Sequence, residues 1–263
     1  MSFALATYNI LASAYIRRAW YPRTPSLVLE PTWRVPALVQ HISKLDADLL
    51  CLQEVEPESF VALRTSLGEQ GYGGQYARKQ AGRPEGVAIF YRQRIFELLS
   101  VRALAYADGG GTPDTGYIAL IARFQTANGV LGVVNTHLMW DPPNTPQGAL
   151  INLRQARQLI VEYENCKSDA RGWIIGGDFN ATPASETVLL LEEARLKYAH
   201  RDFTNSFTCN MGGSARMIDY LFFSAALHAD PSAPTQIDSQ TILPSAEQPS
   251  DHIAIVSEFD WNG

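Results

Sequence analysis

Cysteine is scarce in this chain, and its spacing fits neither a disulfide framework nor a zinc site. Three of the 263 residues are cysteines, Cys51, Cys166 and Cys209. Their number is odd, and no two lie close enough in sequence to form a zinc-ligand pair. We therefore expect free thiols in a reducing compartment, which predicts a cytoplasmic location.

Long hydrophobic runs are missing as well. No stretch approaches the ~20 consecutive apolar residues that a membrane-spanning helix needs. The first residues, MSFALATYNILAS, carry no basic region ahead of their apolar run and are typical of a strand. We therefore expect neither a signal peptide nor a membrane partner.

The chain also lacks an excess of positive charge. It has 21 Lys and Arg against 27 Asp and Glu, a net charge of −6. A protein that coats nucleic acid through its overall field is therefore excluded, and a phosphate substrate would need a bound cation or a local basic patch. No linker or low-complexity tract divides the sequence, so we predict a single domain over residues 1–263.

Short apolar strands alternate with amphipathic helices in both halves of the chain. The predicted strands are FALATYNIL, DLLCLQEV, EGVAIFYR, FELLSVRALAY, GYIALIARFQ, GVLGVVNTHLMW, GWIIGGDF, MIDYLFFS and DHIAIVSEF. The predicted helices are PTWRVPALVQHISKL, PESFVALRTSLGEQGY, residues 148–164, and SETVLLLEEARLKY with Ser185 as its cap. Asn128-Gly129 predicts a hairpin. This order favours an α/β (α+β) fold of two β-sheets packed face to face and flanked by helices.

Polar side chains interrupt six of these strands at or near one end. They are Asn9, Glu54, His137, Asp178 with Asn180, Asp219, and Asp251 with His252. Taken alone, each has a plainer explanation, such as a bulge, a helix cap or a hydrogen-bonded core residue. Taken together, six separately buried polar groups would be costly unless they converge. Oxygen ligands with few histidines and no thiolates favour Mg²⁺ or Mn²⁺ over Zn²⁺.

These residues stand in motifs that resemble the endonuclease/exonuclease/phosphatase superfamily, which has the deoxyribonuclease I fold. The motifs are TYNIL, LQEVE, NTHL, GGDFNATP, MIDYLFFS and PSDHIAI, which together span Tyr8 to Ile255. YNILASAYIRRAWYPRTP, EGVAIFYR and THLMWDP are further similar to the branch that contains nocturnin, the Angel proteins, the 2′-phosphodiesterases and the catalytic subunit of the cytoplasmic mRNA deadenylase.

The resemblance implies a four-layer sandwich, with two packed mixed sheets between helices, and hydrolysis of phosphodiesters with one or two Mg²⁺ or Mn²⁺ ions. Its implied metal ligands are Asn9, Glu54 and Asp251 in one set, and Asp178, Asn180 and His252 form a second set that binds the other metal or positions the attacking water. Asp178 would orient and deprotonate the attacking water, and Asn180 would hold it. Asp219 would hydrogen-bond His252 and favour its protonated form, and His137 would contact the scissile phosphate or the leaving group.

Substrate-binding residues are less clearly marked. Arg17, Arg18, Arg23 and Arg34 alternate with Trp20, Tyr21 and Trp33, a pattern that suits single-stranded nucleic acid and equally an ordinary exposed loop. From the resemblance, Trp140 and Pro142 form a wall that contacts a base. The loop CNMGGSAR is glycine-rich where the deadenylases present an aromatic residue. Arg78, Lys79 and Arg83 are interpreted as solvated charges rather than a binding patch.

The best-matched activity is 3′→5′ exoribonuclease action on single-stranded RNA, of the deadenylase type. The alternative is another phosphoester hydrolase of the superfamily: a 2′-5′ oligoadenylate or dinucleotide phosphatase, a DNA-repair nuclease, or a lipid or inositol-phosphate esterase. A catalytically inactive binding module is a third hypothesis, which the complete set of metal and histidine positions disfavours.

Overall fold

The computed structural model of the chain describes residues 2–108, 115–203 and 205–262. In these ranges the strands are β1 (Phe3–Asn9), β2 (Leu49–Val55), β3 (Tyr72–Arg78), β4 (Gly86–Arg92), β5 (Glu97–Ala105), β6 (Ile118–Thr126), β7 (Gly129–His137), β8 (Gly172–Asp178), β9 (Lys197–Tyr198), β10 (Cys209–Met211), β11 (Ser214–Arg216), β12 (Asp219–Phe223), β13 (Leu227–Pro231) and β14 (Ile255–Trp261). The α-helices are α1 (Ser26–Leu29), α2 (Pro31–Lys44), α3 (Pro57–Glu69), α4 (Ile151–Cys166) and α5 (Glu186–Glu193).

Twelve of these strands form two mixed six-stranded sheets. The first sheet has the order β13-β14-β1-β2-β4-β3, and the second has the order β5-β6-β7-β8-β12-β9. Each sheet contains one parallel pair, β1 with β2 and β7 with β8, and its other pairs are antiparallel. β10 and β11 form a separate hairpin. The predicted fold of two packed mixed sheets flanked by helices is confirmed.

The alternation of side chains along each strand separates three apolar cores. Leu5 and Cys51 lie in the core between the two sheets, whereas Tyr8 and Leu52 point to the opposite face, under α2 and α3. Trp173 lies with the buried side chains of α4 and α5 on the outer face of the second sheet. Each large side chain that is fully enclosed in this way contributes roughly 1.5–3 kcal/mol. The layers therefore run helices, sheet, sheet, helices.

The strand directions bring the predicted polar residues to one end of the sandwich. β1, β2, β7 and β8 end there, and β12 begins there because it runs antiparallel to β8. In the register of the second sheet, Asp178 is paired on one side with His137 and on the other with Asp219. β14 runs antiparallel to β1, so the residues just before it reach the same end.

Several predicted boundaries differ from the structure. The helix that begins after Ser185 was expected to reach Tyr198 but ends at Glu193. Arg195 has a φ of +62°, which a helix does not admit, and Tyr198 lies in β9, where it pairs with Phe222 of β12. α4 begins at Ile151 rather than at residue 148. The Ser185 cap is confirmed, since its Oγ accepts the Val188 N–H at 3.3 Å.

Five strands, β3, β9, β10, β11 and β13, were not predicted; β9 falls within the predicted helix after Ser185. β3 contains Gly73 and Gly74, and a Cβ at Gly73 would lie 2.5 Å from the Tyr91 ring. These glycines admit the neighbouring aromatic rings and also remove the alternating apolar pattern that identifies a strand. Among the described residues, no helix has the length and apolar character needed to cross a bilayer.

Candidate active site

Asn9 lies at the centre of the convergent strand ends and links the two sheets. Its Nδ2 donates to Glu54 Oε1 at 3.1 Å, within the first sheet, and to Asp178 Oδ2 at 3.0 Å, across to the second. Asn9 and Asp178 are each about 1% exposed. The strand ends that the sequence marked separately therefore form one connected polar centre.

Local backbone irregularities aim these side chains. The β2–β4 register shifts between Gln53 and Val55, and Glu54 at this bulge has a φ of +56°. Its Oε2 then accepts the Ala12 N–H at 2.8 Å. Gly177 has a φ of +155°, and a Cβ there would lie 2.0 Å from the Thr136 carbonyl oxygen, so only glycine allows this approach of β7 to β8.

Asn180 follows in the left-handed region, at a φ of +48°, which asparagine tolerates better than most residues. Its backbone N–H donates to Asp178 Oδ1 at 2.9 Å, and its Nδ2 donates to the Leu138 carbonyl at 2.9 Å. The tight turn after β8 therefore presents a carboxylate and a carboxamide side by side.

The buried carboxylates of the site have too little positive charge around them in the protein alone to favour their ionised forms. Burial, reinforced by the charges of Glu85 and Asp251, raises the pKa of Glu54 to about 7. Burial, reinforced by the charge of Asp219, raises the pKa of Asp178 to about 6. Groups that resist ionisation in this way favour a nearby cation, which would restore their charged forms.

The donor chemistry fits a hard divalent cation. The available ligands are the oxygens of Glu54, Asp178 and Asp251, and ligand atoms of Asp178, Asp219 and His252 lie within 4.8 Å of one another. Asp219 Oδ1 is buried and has no hydrogen-bond partner among the described residues. Carboxylate-rich sets of this kind suit Mg²⁺ or Mn²⁺. The Asn9 amide oxygen, the ligand atom expected from the resemblance, accepts the Leu11 N–H at 3.0 Å.

Asp219 and His252 form a buried pair beside this centre. The expected hydrogen bond is present, with His252 Nδ1 2.8 Å from Asp219 Oδ2. Burial alone would lower the pKa of His252, but the Asp219 carboxylate, together with Cys209, outweighs it and holds this pKa well above its ordinary value. His252 therefore carries a proton on Nε2 at neutral pH, 3.7 Å from Asp178 Oδ2.

His137 is held in the opposite protonation state. Burial, followed by the positive charge of Lys79, lowers its pKa well below the ordinary value, so the ring is neutral. Lys79 Nζ lies 3.1 Å from His137 Nδ1 and 2.9 Å from Glu85 Oε1. Because an ammonium group donates and does not accept, Lys79 favours the ring proton on Nε2, 3.6 Å from Asp178 Oδ2, whereas Asn180 Nδ2, which lies 3.2 Å from Nε2, favours it on Nδ1.

The interpretation of Lys79 as a solvated charge is wrong. Its side chain and that of Glu85 are fully enclosed, and Nζ sits 3.6 Å from the centroid of the Tyr117 ring. Glu85 also accepts a hydrogen bond from the Tyr15 hydroxyl at 3.0 Å. A buried ion pair of this kind is costly to form and to break, and it fixes the position of whatever it contacts.

We expect Lys79→Met to lower kcat by about 10- to 100-fold, the range typical of residues that orient a ligating or catalytic side chain. The variant should also lose several kcal/mol of stability, on the order of 3–5, because Glu85 stays buried without its partner. Lys79→Met/Glu85→Gln should recover much of that stability but not the activity. Steady-state kinetics and thermal unfolding measure both effects, with the exposed Lys167→Met as control. Full activity in the stabilised double variant would rule out a positioning role for Lys79.

The predicted substrate-binding residues differ in accessibility. Arg34 is 1% exposed, and its guanidinium donates to the Ile10 carbonyl at 2.8 Å and to Ser13 Oγ at 2.7 Å. These bonds hold the loop after β1, so contact with a substrate would require that loop to open. Arg17 is exposed and donates to two neighbouring backbone carbonyls, those of Ala14 and Ile16.

Trp140 and Pro142 lie on a loop that is fixed at the start of α4. Trp140 is 42% exposed, and Pro142 is exposed beside it. Between them Asp141 accepts the backbone N–H groups of Ile151 and Asn152 at 3.0 and 2.9 Å. The carboxylate satisfies unpaired donors at the helix N-terminus and so anchors the loop.

Two buried groups of the centre were missed in the sequence, and one of them carried a usable signal. β4 runs antiparallel to β2, so Glu85, just before β4, stands at the same sheet edge as Glu54. The rule that a polar residue bounds an apolar strand would have found it. Lys79 follows β3, whose glycines concealed the strand.

Comparison with known proteins is consistent with this geometry. The sequence model described as the Endonuclease/Exonuclease/phosphatase family matches residues 6–252. Carbon catabolite repressor protein 4 homolog 4 of Arabidopsis thaliana is 26% identical, over 98% of this chain and 77% of its own length. 2′,5′-phosphodiesterase 12 of Bos taurus is 26% identical, over 97% of this chain and 51% of its own length. Protein angel homolog 2 of Mus musculus is 30% identical, over 74% and 38%.

The chain thus spans about half or less of two of these three relatives. Among solved structures, ANGEL2, described as a 2′,3′-cyclic phosphatase, matches with a TM-score of 0.86 at 23% identity, over 98% of this chain and 95% of that one. The human Nocturnin catalytic domain with bound sulfate matches with a TM-score of 0.76 at 21% identity, over 99% and 95%. At these identities the structural matches establish the fold.

Proposed function

The chain belongs to the endonuclease/exonuclease/phosphatase family, with relatives in its deadenylase branch, and on that basis we propose that it is a metal-dependent 3′→5′ exoribonuclease acting on single-stranded RNA. The observation that carries the proposal is the convergence of Glu54, Asp178 and His252 around Asn9 at one end of the sandwich. We further propose that residues 1–263 form one catalytic domain that acts in the cytoplasm.

The metal would be held by Asn9, Glu54 and Asp251, while Asp178, Asn180 and His252, the second set, would position the attacking water and the phosphate, because a protonated His252 has no lone pair left for a metal. A bound Mg²⁺ or Mn²⁺ ion supplies neutralisation of the phosphate charge and stabilisation of the leaving oxygen. Asp178 orients the attacking water and accepts its proton, and Asn180 holds that water without adding charge.

The two histidines act as donors in different states. His252, kept protonated by Asp219, donates from Nε2 to the phosphate oxygens as their negative charge grows. His137, kept neutral beside Lys79, donates its Nε2 proton to the phosphate or to the leaving group. Both donors are fixed before substrate arrives, so little reorganisation accompanies the reaction.

A second candidate is hydrolysis of a 2′-5′ linkage or of a terminal 2′,3′-cyclic phosphate. The names of two relatives, 2′,5′-phosphodiesterase 12 and the ANGEL2 cyclic phosphatase, support this class of substrate. The glycine turn of the β10–β11 hairpin also favours it, because an aromatic residue that would select a stacked adenine is missing there.

The test uses metal-stripped protein with added Mg²⁺ or Mn²⁺ and a panel of 5′-labelled substrates. The panel contains poly(A), mixed RNA, RNA with a blocked 3′ end, single-stranded DNA, 2′-5′ oligoadenylate and RNA ending in a 2′,3′-cyclic phosphate. We expect stepwise shortening of unblocked RNA and none of blocked RNA. Cleavage of the 2′-5′ or cyclic substrate with unblocked RNA intact would replace the first candidate by the second.

We expect Glu54→Gln to raise the Mg²⁺ concentration for half-maximal activity by at least about 10-fold. Metal affinity typically falls by at least that factor even when the residue lost only hydrogen-bonds a metal ligand. The amide keeps the size of the side chain but removes the charge that a divalent cation requires. A metal titration of the hydrolysis rate measures this, with Glu56→Gln as the neighbouring control. An unchanged titration midpoint would remove Glu54 from the metal site.

A further inference from the structure

A cleft of about 700 Å³ opens beside the active site, next to Tyr21, whose hydroxyl contacts Asp251. One wall is residues 19–24, the other is the glycine turn of the β10–β11 hairpin, and the floor is residues 239–243. We call it the Trp20 cleft. Gly212 and Gly213, with φ of +61° and +90°, allow the hairpin to turn tightly between the two neighbouring segments.

The Trp20 cleft is joined to the active site through one residue. Tyr21 is buried in the wall, and its hydroxyl donates to Asp251 Oδ2 at 2.8 Å. On the opposite wall, the Asn210 backbone N–H donates to the Asp251 carbonyl at 2.9 Å. A ligand in the cleft would therefore lie one side chain away from a residue proposed to hold the metal.

The lining carries three kinds of recognition group. Trp20 is 50% exposed and Ile242 is 41% exposed, although most large apolar side chains of the chain are buried. Arg23 is the one charged residue among the described lining residues, in a chain with a net charge of −6. Asn210 is 2% exposed, and its Oδ1 has no hydrogen-bond partner among the described residues, while its Nδ2 donates to the Asp238 and Thr241 carbonyls.

These groups together define the chemistry of the ligand. A flat apolar face fits against Trp20, an N–H donor satisfies the buried Asn210 oxygen, and an anionic group pairs with Arg23. A nucleotide offers all three: a base with ring faces and amino or imino protons, joined to a phosphate. The half-exposed Trp20 ring beside Arg23 is the sharpest of these observations, since a large apolar face next to a cation is what a stacked base and its phosphate would cover.

We propose that the Trp20 cleft is a second nucleotide subsite, which binds a base and phosphate adjacent to the scissile phosphate of a single strand. The proposal rests on the proposed function, because it assigns a neighbouring nucleotide to the same active site. It predicts that a strand of several nucleotides binds more tightly than a mononucleotide.

The test is equilibrium binding, measured without turnover. The fluorescence anisotropy of a 5′-fluorescein hexaribonucleotide is followed in EDTA for the wild type and its variants. We expect Trp20→Ala to raise Kd by about 5- to 150-fold, the range that loss of a base-stacking aromatic produces. Val61→Ala, at an exposed apolar residue of α3, should leave Kd unchanged.

The charge is tested with Arg23→Gln against Arg94→Gln, another exposed arginine. Arg23→Gln should weaken binding. It should also reduce the slope of the logarithm of the binding constant against the logarithm of the salt concentration by nearly the amount that one phosphate contact contributes, whereas Arg94→Gln should change neither quantity. The same measurement with a hexadeoxyribonucleotide, which lacks the 2′-hydroxyl groups, separates recognition of the base and phosphate from recognition of the 2′-hydroxyl. Unchanged Kd in both Trp20→Ala and Arg23→Gln would overturn the subsite.

A second measurement locates the base directly. With 4-thiouridine in the hexamer and irradiation, we expect crosslinks in the peptides that contain Trp20 or Met211. Crosslinks confined to the peptide that contains Trp140 would also overturn the subsite. Metal-dependent hydrolysis by the wild type is assayed in parallel. If the protein binds the hexamer through Trp20 but does not hydrolyse it, the proposed function alone is overturned. If the protein hydrolyses RNA but its binding does not depend on Trp20, the subsite alone is overturned.

Discussion

Asp178→Asn is expected to lower kcat for phosphodiester hydrolysis by about 10³- to 10⁴-fold, near the upper end of what a general base contributes. The amide is nearly isosteric, and its single oxygen can keep one of the two hydrogen bonds that the carboxylate accepts, from the Asn180 backbone N–H and from Asn9, while proton acceptance is lost. Steady-state kinetics on the preferred substrate measures the effect. Asp169→Asn, at a half-exposed carboxylate outside the centre, is the control.

The same substitution is expected to stabilise the metal-free protein. Burial raises the pKa of Asp178 from 3.8 to about 6, so its ionised form is disfavoured in the fold. The penalty is absent below about pH 4, grows as the pH rises from 4 to 6, and is complete above pH 6, where it is on the order of 3 kcal/mol.

Chemical denaturation at pH 4, 6 and 8 in EDTA checks this effect. The wild type and Asp178→Asn should be nearly equal at pH 4, and the variant should be the more stable at pH 8. Loss of stability in the variant at pH 8 would mean that the carboxylate is a structural group rather than a group held under electrostatic cost for function.

His252→Gln is expected to lower kcat by about 10²- to 10³-fold, the usual effect of removing one donor from the stabilisation of a transition state. The KM of this variant should change little, because the negative charge that His252 stabilises on the phosphate oxygens develops only after the substrate has bound. Asp219→Asn should have a smaller effect at pH 6, since His252 remains in place. The double variant should be no slower than His252→Gln, because both residues act through one proton.

The pH profile distinguishes a positioning role of Asp219 from a structural one. Burial alone lowers the pKa of His252, and the Asp219 charge is the main opposing influence. Without that charge, burial leaves the pKa of His252 at or below its ordinary value of about 6.5, so the activity of Asp219→Asn should fall as the pH rises from about 5 to 7 while the wild type stays level. Parallel profiles for the two proteins would exclude this role.

The sequence predicted the fold, and it predicted which polar residues meet at one end of the sandwich, because both depend largely on local pattern. A polar residue at or near the end of a short apolar run marks Asn9, Asp178 and Asp219, and the parallel and antiparallel strand directions then bring these residues to one end. The same pattern would have identified Glu85, had the residue before β4 been considered.

Groups whose placement depends on distant segments were beyond such reasoning. Arg34 follows an aromatic residue in a basic segment and was expected at a binding surface, yet the Ile10 carbonyl and Ser13 draw its guanidinium inward. The Trp20 cleft joins three segments separated by up to about two hundred residues in the chain. Pairing at that range is decided by packing, not by any local periodicity.

The most direct test of the central claim is the metal dependence of single-stranded RNA hydrolysis by protein stripped with EDTA. Stripped wild-type protein should be inactive, and Mg²⁺ or Mn²⁺ should restore stepwise release of nucleotides from the 3′ end, while Asp178→Asn stays about 10³- to 10⁴-fold slower at every metal concentration. Hydrolysis that persists in EDTA, or that Asp178→Asn retains at the wild-type rate, would contradict the assignment of this centre as a metal-dependent phosphodiesterase.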